Sequence, residues 1–251
     1  MKSRLMIAAA LAAALSAGVV AAKPPANVEA AVADASRPAA DKALDEARKP
    51  AETLEFVGVK PGMTVVDLIP GGGYFTRLFS KAVGEKGTVY AAYPPPRPST
   101  DPAKPTPTPA AEKIAAEPGY GNVKPTPVAP GSFATPTPAD IVFTAQNYHD
   151  LHNIKTLDLA AFNRSVFNDL KPGGVYVVLD HVANPATPDA TSTVHRIDPA
   201  VVRREVEAAG FKFDGESKIL ANPADDHSKA VFDPSIRHHT DQFIYKFRKP
   251  K

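Results

Sequence analysis

The chain has no cysteine. That excludes disulfides, zinc–thiolate centres, iron–sulfur clusters and thiol nucleophiles, and it leaves the fold indifferent to the redox state of its compartment. A lipid-modified N-terminal cysteine is excluded with them. An excess of one charge is also lacking. The 29 Lys and Arg against 27 Asp and Glu leave a formal +2, too little to argue for nucleic acid or an anionic membrane as partner. Past the first two dozen residues there is no apolar run long enough to span a membrane. No internal repeat is visible, and the Gly-x-Gly-x-x-Gly spacing of dinucleotide-binding turns is not met. What is present is globular composition: 251 residues, 43% apolar and 22% charged, enough for one sizeable core with tails.

Residues 1–22 read as a secretory signal. Lys2 and Arg4 open it, residues 5–15 are apolar but short for a bilayer, and Val20-Ala21-Ala22 closes it before Lys23. The expectation is export, with a mature protein that is periplasmic or secreted and has no stable membrane insertion after cleavage. An uncleaved anchor is the alternative.

Residues 23–50 are Ala-rich with scattered charges and predict a helical strap. Ser36 is the expected N-cap, with Pro38 in the first turn and the helix continuing over 41–49. A short helix over 51–57 ends at Gly58. Residues 64–69 read as a buried parallel strand. Pro70-Gly71-Gly72-Gly73 is a turn, and residues 74–83 carry apolar side chains at helical spacing. Gly84 and Gly87 stop that helix before a second strand over 88–93. The unit is a βαβ, whose crossover is right-handed.

Residues 94–139 hold fourteen of the 27 prolines and predict a long surface excursion around a short helix at 110–117, with a third strand near 122–128. Strands over 140–145 and 175–180, a helix over 160–170 and a tight turn at Lys171-Pro172-Gly173-Gly174 follow. Asp198 caps a helix that starts at Pro199 and runs to Ala209. Two strands, 211–220 and 242–248, complete the chain. The alternation predicts an α/β, Rossmann-like, doubly wound sheet of about seven mostly parallel strands with helices on both faces. Residues 51–251 form its domain.

The ordered set Val65-Val66-Asp67-Leu68, Pro70-Gly71-Gly72-Gly73, Gly84 to Tyr90 and Leu170-Lys171-Pro172-Gly173-Gly174-Val175 resembles class I S-adenosylmethionine-dependent methyltransferases. More narrowly, Gly-Gly-Gly-Tyr, Asn147-Tyr148-His149-Asp150, Asp180-His181 and His195-Arg196-Ile197-Asp198 look like a group of exported methyltransferase-like proteins. The resemblance implies S-adenosylmethionine as cofactor, held by Asp67, Gly71, Gly72, Gly73, Tyr74 and Tyr93. It also implies an acceptor that is a small molecule or an envelope component. Two positions depart from the family pattern. Ile69 stands where the first glycine is usual, and a β-branched residue resists positive φ. Tyr93 stands where an acidic residue usually holds the ribose.

The turn at 70–73 lies at the carboxyl end of the sheet, where open α/β folds bind ligands. The rim of the same sheet is expected to carry His149 with Asp150, and His181 with Asp180. A histidine beside a carboxylate can act as a general base in a fixed tautomer. His149 and His181 are therefore the candidate bases, with Asp150, Asp180, Arg196 and Asp198 as positioning groups. No metal is assigned, although His149, His152, Asp180 and His181 are ligand types that would suit a metal-dependent hydrolase. A non-catalytic binding protein on the same fold is the remaining alternative.

Overall fold

The computed structural model describes residues 23–96, 98, 103–104, 106–129 and 133–251. The expected signal at 1–22 lies outside the described residues, as do parts of the proline-rich excursion. Among the described residues no helix is long and apolar enough to cross a membrane.

The chain opens with four short helices: α1 (Ala26–Ala33), α2 (Ala39–Lys42), α3 (Asp45–Arg48) and α4 (Pro50–Val57). Then come β1 (Thr64–Leu68), α5 (Tyr74–Val83), β2 (Thr88–Tyr93), α6 (Ala110–Ala116), β3 (Val123–Pro127) and β4 (Ala139–Ala145). The second half holds α7 (Tyr148–Leu151), α8 (Leu159–Asp169), β5 (Leu170–His181), α9 (Ala190–Thr193), α10 (Pro199–Ala208), β6 (Lys212–Ser217) and β7 (Gln242–Arg248).

The strands form one sheet in the order β3-β2-β1-β4-β5-β7-β6. The first five are parallel, and β7 enters antiparallel between β5 and β6. Strand residues alternate between two cores. Val65, Val89, Phe143 and Val177 face α1, α4, α5 and α6. Val66, Val142, Tyr176 and Val178 face α8 and α10. The fold is the doubly wound α/β architecture that the alternation of elements predicts. Pro125 and Pro127 sit in β3, an edge strand, where the missing N–H is tolerated.

Two local expectations need correction. The strap is not one helix capped by Ser36. Its second and third helices are separate single turns, and Pro38 precedes the first of them. The Ser36 hydroxyl instead hydrogen-bonds the Asp34 carboxylate. Residues 171–174 are a turn-like bulge inside β5 rather than a turn ahead of it: the pairing with β4 passes from Leu170 to Val175, and Gly173 has φ +79°. The C-terminal residues draw them into the sheet: Gly173 N–H donates to Lys249 O at 3.0 Å and Lys249 N–H to Gly174 O at 2.9 Å.

Candidate functional site

The carboxyl ends of β1 and β4 open on a cavity of about 250 Å³ lined by Asp41, Leu44, Arg48, Asp67, Ile69, Gly71, Gly72, Tyr74, Phe75, Gln146 and Asn147, among others. An apolar pocket of about 310 Å³ adjoins it across Ile69, Pro70 and Gly71, and reaches Tyr93, Pro94 and Ala111. The two hollows share the turn after β1. The Ile69 and Tyr93 side chains line this space rather than fill it.

The turn is held against a local preference. Ile69 has φ +57°, a conformation that costs a β-branched residue on the order of 1–2 kcal/mol. Its N–H donates to Ala92 O at 2.7 Å, and its carbonyl accepts from Asn147 Nδ2 at 3.0 Å. Bonds from two neighbouring strand ends thus impose the geometry that the side chain opposes. Gly73, at φ +83°, opens α5, and a Cβ there would lie 2.0 Å from the Ile114 side chain. Its smallness therefore lets α6 approach the turn, while Gly71 and Gly72 face the cavity.

Asp67 projects from β1 and is 3% exposed. It accepts from the Thr76 hydroxyl at 2.6 Å. Burial pushes its carboxyl up to about 7, against the opposing pull of Thr76 and Arg48. Arg48 reaches the same cavity from the strap. Its guanidinium lies 4.6 Å from the Tyr74 ring centre and 5.9 Å from that of Phe75. Among the described residues it has no hydrogen-bond or ion-pair partner. Burial lowers its proton affinity, while Asp41 and Asp67 hold it up. The strap is pinned by Asp45, which accepts from Arg37 at 2.6 Å and from the Tyr74 hydroxyl at 2.7 Å. Arg77 ties the turn to both flanks through Gly72 O, Asp41 and Glu117.

Tyr93 ends β2, as expected, and its hydroxyl donates to Glu112 Oε1 at 2.6 Å. Burial and Glu112 push that phenol up to about 12. An acidic group therefore does stand at the end of the second strand, supplied by α6.

The histidine segments converge on the far side of β4. His149 lies on α7 and is 2% exposed. Its Nδ1 is 2.8 Å from Asp180 Oδ1, and its backbone N–H donates to Asp180 Oδ2 at 2.9 Å. Asp180, at the end of β5, is fully buried. Burial alone would push the imidazole down, but the Asp180 bond and charge, with Asp150 added, leave it above its ordinary value. His195 comes from the loop after α9 at φ +57°, with its ring centre 5.6 Å from that of His149. A parallel bridge from Val182 to Ile197 ties that loop to the end of β5.

The remaining residues expected at the rim do other work. His181 is buried and bonds Thr240 Oγ1 through Nδ1 at 2.8 Å. Burial pushes it down to about 4, so it is neutral near pH 7. Arg196 is fully buried and bonds Asp225, Lys229 O and Val182 O. It braces the loop around 225–229. Asp198 caps α10 by accepting from Ala200 N–H at 2.8 Å. His152 pairs with Glu205 at 3.1 Å, apart from His149.

Sequence reasoning missed Arg48, Asp41 and Glu112. A lone Arg in an Ala-rich strap carries no signal, because its environment is created by Tyr74, 26 positions on.

No family model matches the chain, and no curated protein matches it. Solved structures do. An S-adenosylmethionine-dependent methyltransferase from Aquifex aeolicus aligns with TM-score 0.55 at 21% identity, over 84% of this chain and 98% of that one. One from Mesorhizobium loti aligns with TM-score 0.56 at 15% identity, over 82% and 100%. The [4+2]-cyclase SpnF aligns with TM-score 0.56 at 18% identity, over 84% and 81%. The chain therefore has the Rossmann-like fold shared by the two S-adenosylmethionine-dependent methyltransferases and the cyclase.

Proposed function

We propose that the protein is an exported S-adenosylmethionine-dependent methyltransferase acting on a small molecule or an envelope component. The observation that carries this reading is the pair of joined hollows at the β1 turn, with unpartnered Arg48 and buried Asp67 facing the first of them. An S-adenosylmethionine has an α-carboxylate, an α-ammonium, a sulfonium and an adenosyl group. Arg48 suits the carboxylate. Asp67, with Asp41, suits the cationic groups, whose arrival would draw the proton off Asp67. The apolar pocket between Ile69, Tyr93 and Pro94 suits the adenosyl group, with Glu112 at its edge.

The group supplies an activated methyl when bound, and the protein's task is alignment of an acceptor with it. His149, just past the end of the neighbouring strand β4, carries the imidazole assigned to the acceptor. Asp180 takes Nδ1 of that ring at 2.8 Å, which leaves Nε2 facing Asp150 Oδ1 at 3.4 Å. Export rests on the pattern of residues 1–22 and is tested by fractionating cells and reading the N-terminus of the mature chain, which should begin near Lys23. The cofactor reading is tested by native mass spectrometry of the mature chain with S-adenosylmethionine. One bound cofactor per chain is expected, and an unshifted mass would sink the reading.

A further inference from the structure

We propose that His149, Asp150 and His195 form a binding site for a divalent transition-metal ion of the zinc or iron(II) class. The proposal goes beyond the cofactor reading and stands without it.

His149 Nε2 lies 3.4 Å from Asp150 Oδ1, and His195 Nδ1 lies 3.7 Å from the same oxygen. All three ligand atoms fall within 4.8 Å of one another. These separations are long for hydrogen bonds, which close to about 2.7–3.2 Å. The His149–Asp180 contact in the same cluster does close, at 2.8 Å. A central ion with bonds of about 2.0–2.2 Å sets neighbouring ligand atoms roughly 3.0–3.5 Å apart. The two histidine–Asp150 separations lie within a few tenths of an ångström of that spacing, and a rotation of the partly exposed His195 ring would close the third.

The surroundings are those of a ligand set. Asp180 takes the other ring nitrogen of His149, the carboxylate–histidine arrangement that orients metal-bound imidazoles and raises their basicity. Asp180 is itself locked, because it accepts from the backbone N–H groups of both His149 and His181. The side chains of Asp150 and His195 are 53% and 33% exposed, while that of His149 is 3% exposed. The site is closed behind His149 and open in front, so an ion held by three groups keeps positions for water or an acceptor. The Phe232 ring packs edge-on against that of His195, 4.9 Å between centres. Two imidazoles and one carboxylate favour zinc or iron(II) over magnesium or calcium. His149 Nε2 then acts as a ligand electron pair, and the ion lowers the pKa of an oxygen bound to it. The ligand class implied is a small molecule with an oxygen or nitrogen donor.

The test is titration of the metal-stripped mature chain with Co²⁺, followed by visible absorption, then competition with Zn²⁺. One equivalent should bind, with Zn²⁺ displacing it. His195→Ala and Asp150→Asn change partly exposed groups and should each weaken binding at least tenfold. Both variants must keep the parent's circular dichroism and melting temperature. His152→Ala, which removes one of the two partners of Glu205 among the described residues and lies outside the three-residue cluster, should bind like the parent. No stoichiometric binding to the parent overturns the proposal, as does undiminished binding by the two ligand variants. Cofactor is left out of every arm, so failure here leaves the methyltransferase reading untouched.

Discussion

Arg48 and Arg196 are both inward-turned arginines on the carboxyl-end side of one sheet, yet their surroundings differ. Arg196 is fully buried and its guanidinium meets Asp225, Lys229 O and Val182 O. Arg48 is held over the Tyr74 ring with no polar partner among the described residues. The carboxylates divide in the same way. Asp180 accepts three hydrogen bonds from protein N–H groups, taking the His149 ring nitrogen as a donor. Among the described residues Asp67 is held by Thr76 alone, through its hydroxyl at 2.6 Å and its backbone N–H. Burial of a charge alone does not mark a binding site. A charge whose partners are complete holds the structure together, and a half-buried one with no polar side-chain partner, such as Arg48, is free to meet a ligand.

The largest expected effect tests the completed side. Asp225→Ala leaves the Arg196 guanidinium buried without its counter-charge and should cost about 3–5 kcal/mol in urea denaturation. Arg48→Met should stay within about 1 kcal/mol of the parent in the same assay, because it breaks no side-chain hydrogen bond or ion pair and loses only the stacking over Tyr74 and Phe75. The contrast fails if Arg48→Met is the less stable of the two. Its effect belongs in binding instead. Losing a charge-assisted bond of about 1.5–3 kcal/mol should weaken S-adenosylmethionine by tenfold or more, as read by equilibrium dialysis.

A pH series sharpens the contrast next. Asp67 titrates near 7 in the fold against an ordinary 3.8. The native state holds the extra proton between those values, so stability falls as pH rises through the window, at up to about 1.4 kcal/mol per pH unit. Asp67→Asn should abolish that slope and gain on the parent from pH 4 to 7. His181 works in the opposite sense. Its pKa is depressed from 6.5 to about 4, so it favours the fold above 6.5 and its contribution is lost as pH falls toward 4. His181→Gln should flatten the acid limb. The two slopes oppose each other, so single variants read them better than the parent does. Denaturation profiles of parent and Asp67→Asn that run parallel would refute the Asp67 assignment.

The smallest effect is at the turn. Ile69→Gly relieves strain on the order of 1–2 kcal/mol but gives up side-chain packing and adds chain entropy. The expected net change is within about 1 kcal/mol, measured by thermal unfolding. A loss much larger than that would mean the backbone at Ile69 is not strained.

Much of the fold was legible because apolar period sets it. The elements β1, α5, β2 and β7 follow runs whose spacing leaves one reading, and Asp198-Pro199 marks the start of α10 as capping chemistry requires. Where sequence reading failed, a distant partner decided the outcome. Lys249 and Arg248 draw residues 171–174 into β5, and Asn147 with Ala92 forces Ile69 into a conformation its side chain disfavours. The three histidine segments were visible as segments. That His149 would meet His195, while His181 turned to Thr240, depends on the bridge from Val182 to Ile197, which no local pattern encodes. Arg48 was invisible for the same reason, since Tyr74 and Asp45 create its setting.

Isothermal titration of the parent and of Arg48→Met with S-adenosylmethionine tests the central claim most directly. The account predicts a saturable one-to-one heat in the parent and at least tenfold weaker binding in the variant, with both proteins folded. No heat in the parent up to the ligand's solubility limit, or equal affinity in the two proteins, would contradict it.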